Sequence, residues 1–183
     1  MVEGETNECR GMRLRCRAAA LLNSIGMLAA ATAAVILLET LLLPVIQIFG
    51  SSMTPALYEE DFVVAVKYVK PRRGDIVAFY SDGKVLVKRV IALPGEQVAL
   101  GRGGEVYIDG SPLGEPYVEE PSYGVCSISF PYRVPEGGLF VLGDHRGISL
   151  DSRSTQVGSV GEGQLIGRVV FRIWPLGRIG PVG

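Results

Sequence analysis

Histidine is almost missing: the 183 residues contain one, His145. A His-based metal site or a Ser-His-Asp triad is hard to build from a single imidazole, so a base for any serine nucleophile must be sought among other side chains. Cysteine is scarce too, at Cys9, Cys16 and Cys126, and no pair has metal-ligand spacing. No metal or cofactor is expected. Basic residues are neither in excess nor interleaved with aromatics, and the net charge is −1. A nucleic-acid partner is therefore not expected. Internal repeats and low-complexity linkers are absent. With 48% hydrophobic and 20% charged residues the composition also excludes a disordered chain.

Long hydrophobic runs are absent as well, with one exception. From Ala18 to Leu38 the chain has no charge, and only Asn23, Ser24 and Thr32 interrupt it. At about 1.5 Å per residue, a helix of this length covers roughly the 30 Å of a hydrocarbon core. Arg10, Arg13, Arg15 and Arg17 precede it. The positive-inside tendency then places residues 1–17 in the cytoplasm, 18–38 across the membrane and 39–183 outside. The alternative is a cleavable signal peptide, since Ala29–Ala34 offers small residues. Hydrophobicity resumes at Val35 and continues through Leu43, so the expectation is one uncleaved span. In that topology Cys126 has no cysteine on its own side, and no disulfide framework is expected.

Beyond Pro44 the pattern changes to short β-branched runs bounded by Gly, Pro or Asp: Val45–Phe49, Phe62–Val66, Asp75–Tyr80, Val85–Val87, Val98–Leu100, Leu139–Leu142 and Val169–Trp174. Val106–Ile108 followed by Asp109-Gly110 signals a hairpin, because that dipeptide accepts the positive φ of a two-residue turn. Only a short helix around Val157–Gln164 is expected. The fold class read from this pattern is an all-β catalytic domain, a sandwich or partly open barrel, preceded by one transmembrane α-helix.

Three blocks within the β region carry the chemistry: Ser52-Met53-Thr54-Pro55, Lys88-Arg89, and Gly143 through Arg153. A serine hydroxyl needs a base, and lysine serves only when neutral, which an apolar setting favours. Lys88 lies between Val85-Leu86-Val87 and Val90-Ile91, so desolvation there is credible. Each residue alone has a plainer reading. Serine beside glycine is most often a turn, a lysine beside a strand a solvated residue, and Asp144, Asp151 and Arg153 a surface ion pair.

Taken together, the blocks resemble those of bacterial type I signal peptidases. Gly50 through Leu57 resembles the family's nucleophile box, Arg73-Gly74-Asp75-Ile76-Val77-Ala78-Phe79 its second box, Lys88 through Glu96 its lysine box, and Gly143 through Arg153 its Gly-Asp-Asn-Arg…Ser…Asp-Ser-Arg box. The resemblance implies the family's antiparallel β fold, Ser52 as nucleophile and Lys88 as general base. It makes Ser149 the hydroxyl that orients the lysine amine, and Asp151, Arg153 and Asp144 its structural support. It assigns Ile46, Ile48, Met53, Leu57, Val63 and Val87 to shallow pockets for small substrate residues, positions whose plainer reading is ordinary core. The implied substrates are signal peptides of secreted preproteins. The implied surroundings are the lipid bilayer, with an apolar rim dipping into it, and the protein-export translocon. Gly50 stands where many members carry a hydroxyl for the oxyanion hole, which leaves the second donor open between Ser51, water and another backbone amide. His145 stands where Asn is common. The alternatives are a repressor-type autoprotease, a processing peptidase specialised for one substrate, and an inert membrane-tethered binding domain. The last would make Ser52, Lys88 and Ser149 dispensable.

Overall fold

The computed structural model describes residues 22–38 and 40–182. The chain divides into two units, Met1–Leu41 and Leu42–Gly183. In the first, residues 22–38 form a helix, α1. Its large apolar side chains, Leu22, Ile25, Leu28 and Ile36 among them, are exposed. Thr32 satisfies its hydroxyl on the Leu28 carbonyl at 2.8 Å, as a threonine in an apolar helix must. Among the described residues no helix is long and apolar enough to cross a membrane. The span expected over 18–38 begins outside the described residues, and Cys9, Cys16 and the four N-terminal arginines also lie there.

The second unit is all-β. Its strands are β1 (Val45–Gln47), β2 (Phe62–Val66), β3 (Ile76–Ser81), β4 (Lys84–Ala92), β5 (Gln97–Leu100), β6 (Val106–Ile108), β7 (Ser111–Pro112), β8 (Tyr132–Arg133), β9 (Gly138–Leu142), β10 (Val160–Gly161), β11 (Leu165–Trp174) and β12 (Gly180–Pro181). The large sheet runs β1-β2-β11-β3-β4-β9-β10, with β12 on β11, and the small sheet runs β7-β6-β5-β8. Every pairing is antiparallel. The Asp109-Gly110 turn joins β6 to β7, with both residues at positive φ.

Three apolar clusters hold the sheets. β9 is buried along its whole length because successive side chains meet different clusters. Phe140 and Leu142 join Ile91, Val98 and Val106 between the two sheets. Leu139 and Val141 join Val77, Phe79 and Val90. The helix expected around Val157–Gln164 does not form: β10 and a single 3-10 turn, Glu162–Gln164, take its place. Gly158, at φ 59°, and Gly161 and Gly163 explain the difference, since each glycine weakens a helix interior by about 1 kcal/mol.

Candidate active site

Ser52 sits in the tight turn that follows β1. Hydrogen bonds from Thr54 N–H to the Ser51 carbonyl (3.1 Å) and from Leu57 N–H to the Met53 carbonyl (2.9 Å) close that turn. Met53 and Leu57, 1% and 0% exposed, pin it into the core. Lys88 lies in β4 opposite Val77 of β3. It is 3% exposed, and its Nζ is 2.5 Å from Ser52 Oγ. Burial pulls the Lys88 ammonium down from 10.5 to about 8, against the opposing pull of Asp151 and Asp144. The geometry is that of a hydroxyl hydrogen-bonded to an amine whose proton burial makes easier to lose. Such a pair can exchange the hydroxyl proton.

The third block closes over the pair. His145 N–H donates to the Ser52 carbonyl at 3.1 Å, while its imidazole is exposed. A Cβ on Gly143 would collide with Ser149 Oγ and the Ser52 carbonyl, so only glycine lets these segments approach. Ser149 is buried, and its Oγ has no hydrogen-bond partner. The hydrogen bond expected from it to the lysine amine is not formed. Asp151 and Arg153 form a two-pronged buried pair, with both contacts at 2.8 Å. Asp151 also accepts from Gly143 N–H at 3.1 Å, and Arg153 spreads to the carbonyls of Ser122, Tyr123 and Arg146. Asp144 is held by Arg89, the neighbour of Lys88 in β4, through contacts of 2.9 and 2.7 Å. Burial pushes the Asp144 carboxyl upward, and Arg89 offsets part of this.

Four residues that sequence reading left without a role complete this support. Arg89 donates to the Gly74 carbonyl at 2.8 Å and lies 4.1 Å from the centre of the Tyr117 ring. Tyr117 donates to Glu115 at 3.0 Å, and Glu115 receives both prongs of the buried Arg146. Burial, with Glu115 adding to it, pushes the Tyr117 phenol up. Arg89 and Arg146 were visible as arginines inside the boxes. Their partners on the 115–117 loop had no local signal.

The six expected pocket residues come together. Ile48, Met53, Leu57, Val63 and Val87 share one buried cluster with Ile76, Ala78 and Val169, and Ile46 packs against it. A polar hollow of about 220 Å³ is lined by Thr54, Glu119, Glu120, Asp144 and His145. Among the described residues no group of three or more His, Cys, Asp or Glu is placed to hold a metal ion.

A family model described as "Signal peptidase, peptidase S26" matches residues 21–174. Signal peptidase I of Leptolyngbya laminosa is 38% identical, over 73% of this chain and 70% of its own length. A probable signal peptidase I-1 of Synechocystis sp. is also 38% identical, over 73% and 72%. A solved signal peptidase I from Enterococcus faecalis aligns at 36% identity over 55% of this chain and 97% of that one, with a TM-score of 0.46. The family model spans most of the sequence and the curated relatives are similar over more than two thirds of both lengths, so this chain belongs to the signal peptidase family, peptidase S26.

Proposed function

We propose that this chain is a membrane-anchored serine endopeptidase that cuts signal peptides from secreted preproteins after small residues, with Ser52 as nucleophile and Lys88 as general base. The observation that carries the reading is the 2.5 Å contact between Lys88 Nζ and Ser52 Oγ, made by a lysine that burial leaves only 3% exposed. Neutral Lys88 accepts the Ser52 proton as Oγ bonds to the scissile carbonyl carbon. The carbonyl oxygen becomes an oxyanion facing the Ser52 backbone N–H. Collapse of the adduct breaks the C–N bond, and the lysine returns its proton to the departing amine. Water then gives a proton to Lys88 while attacking the acyl-enzyme, and Oγ leaves and regains that proton.

The remaining residues have roles consistent with this chemistry. Ser149 is buried beside Gly143 in the same supporting block. Asp151, Arg153 and Asp144 hold the block that carries it. Ile46, with Ile48, Met53, Leu57, Val63 and Val87 packed behind it, forms the wall against which small side chains of the signal peptide rest. The topology is a cytoplasmic 1–17, a membrane helix over 18–38 and an extracytoplasmic peptidase over 39–183. The exposed apolar side chains of α1 support a lipid surrounding for that helix. Ser52 follows Leu38 by 14 positions, which keeps the nucleophile near the outer face, beside preproteins leaving the export translocon.

The test is digestion of a model preprotein by the full chain, with N-terminal sequencing of the product. Ser52→Ala and Lys88→Ala are each expected to abolish cleavage. Lys88→Arg is expected to fail as well, because guanidinium stays protonated in a protein. Cleavage retained by any of these folded variants would overturn the mechanism.

A further inference from the structure

β4 and the Gly143–Arg153 block bury six charged side chains: Lys88, Arg89, Asp144, Arg146, Asp151 and Arg153, each at most 3% exposed. Four are cations and two are carboxylates. Glu115, from the loop after β7, supplies a third carboxylate, with its side chain 9% exposed. Each arginine then has a carboxylate of its own: Arg89 has Asp144 at 2.7 Å, Arg153 has Asp151 at 2.8 Å, and Arg146 has Glu115 at 2.5 Å. Lys88 has none among the described residues, and its Nζ meets Ser52 Oγ instead. We propose, on the reading of Lys88 as general base, that Glu115 is a positioning residue for that base. By answering Arg146 it evens the charge around the lysine and keeps the amine basic enough to take the serine proton.

Burial is the first support, because a charge shielded from solvent is felt beyond its contact partner. Asp144 registers this directly: burial pushes its carboxyl up, Arg89 and Arg146 pull it down, and Glu115 pushes it up again. Burial lowers the Lys88 ammonium, Asp151 and then Asp144 oppose the fall, and Arg153 adds to it. The second support is the geometry of Arg146. Its Nη1 and Nη2 donate to Glu115 at 3.0 and 2.5 Å, and its Nε donates to the Gly143 carbonyl at 3.0 Å. Gly143 is the residue against which Ser149 and the Ser52 carbonyl pack. Glu115 thus fixes a guanidinium that is bonded to the segment lying against the nucleophile.

The sign of the effect follows from the charges. Without the Glu115 charge, Arg146 stays buried and cationic, since guanidinium is not deprotonated in a protein. Asp144 is already ionised in its two-pronged pair with Arg89, so the freed charge cannot be absorbed there. It adds positive potential at Lys88 and makes the ammonium easier to deprotonate. The other groups nearby do not answer it. The Tyr117 phenol donates to Glu115 and is pushed up by burial, so it stays neutral. Glu119, Glu120 and His145 share a hollow with Asp144, but they are exposed and screened by water.

The experiment reads kcat/KM of the full chain in detergent, on a peptide substrate, along the ascending limb of the pH profile. Each profile is scaled to its own plateau, which removes any general loss of activity. Glu115→Gln keeps the shape and loses the charge. It is expected to move the limb down by about half a pH unit, so that scaled activity at about pH 7 rises roughly threefold. That is less than the roughly 1–3 units produced by a charge in direct contact. Arg146→Gln is expected to move the limb up by a similar amount, and the double variant to return it to the wild-type position. Glu115→Asp keeps the charge and is expected to leave the limb in place. A limb that stays put in a folded single variant, or moves in the opposite sense, overturns this role and makes Glu115 a brace of the fold alone. If one single variant does not fold, the other decides by the same criterion, and a displaced limb in the double variant overturns the role as well. Lys88 is tested apart: cleavage by Lys88→Ala overturns the base, and the role of Glu115 with it.

Discussion

Lys88 is suited to take a proton because its surroundings disfavour its charge. Burial lowers the ammonium from 10.5 to about 8, and two carboxylates at the edge of the site keep it from falling further. The sign for activity follows directly. Below about 8 the lysine is mostly protonated and cannot accept the Ser52 proton, so kcat/KM is expected to rise close to tenfold per pH unit and to level above that value. A pH–rate profile of the full chain on a peptide substrate reads this. An ascending limb centred near 6.5, where a histidine titrates, would contradict Lys88 as the base. The same shift bears on stability. The unfolded chain binds the lysine proton up to about 10.4, the folded chain only to about 8, so this group favours folding increasingly as pH rises through that window. Most of this residue-level chemistry was legible in sequence, because the boxes are local and each names its own serine, lysine or aspartate. What was hidden is who answers each charge. Asp144 pairs with Arg89 across 55 positions and Arg146 with Glu115 across 31, and no short-range pattern records such contacts.

At the scale of elements, β4 shows why one strand looked short. Its apolar pattern stops at Val87 and resumes at Val90, so sequence reading ended it before Lys88-Arg89. The strand continues from Lys84 to Ala92 because both charges are satisfied inside: Lys88 on Ser52, Arg89 on Asp144 and the Gly74 carbonyl. The two-residue strands β8, β10 and β12 carry no period and were invisible for that reason, whereas β7 was implied by the Asp109-Gly110 hairpin signal. A further element-level contact ties the end of β11 to the nucleophile turn. Asp61 is fully buried and accepts from Tyr58 N–H at 3.0 Å, Arg172 at 2.8 Å and Arg178 at 2.9 Å. Arg172 also reaches the Ala56 carbonyl at 3.3 Å, and Arg178 lies 4.5 Å from the centre of the Tyr58 ring. The two arginines should not weigh equally. The Arg172 side chain is 15% exposed, and its loss leaves a buried carboxylate short of its nearer partner, so Arg172→Ala is expected to cost about 3–5 kcal/mol. Arg178 is 39% exposed, and Arg178→Ala is expected to cost about 1 kcal/mol or less. Urea unfolding of both variants checks the ranking, and equal losses would contradict it.

At the scale of the whole molecule, the division at Leu41 and Leu42 separates chemistry from placement. Ser52, Lys88, the pocket cluster and the supporting ion pairs lie in Leu42–Gly183, and the hydrogen bonds that build their frame begin at Leu42 and Pro44. Nothing in the proposed reaction draws on α1. A chain beginning at residue 42 is therefore expected to cleave a soluble peptide in detergent at a rate within about twofold of the full chain. Its deficit appears when the substrate is a preprotein embedded in vesicles. An anchored enzyme meets that substrate on a shared surface, at an effective concentration set by the tether; a dissolved domain must find it from bulk. Losing such a tether lowers apparent affinity by about 10²–10⁴-fold without removing any contact in the site. The two substrates, assayed in parallel, separate the possible failures. Loss of peptide cleavage would mean that residues 1–41 are needed to build the site. Undiminished cleavage of the vesicle-bound preprotein would mean that the helix does not act as an anchor, and that the β unit reaches the membrane by its own surface.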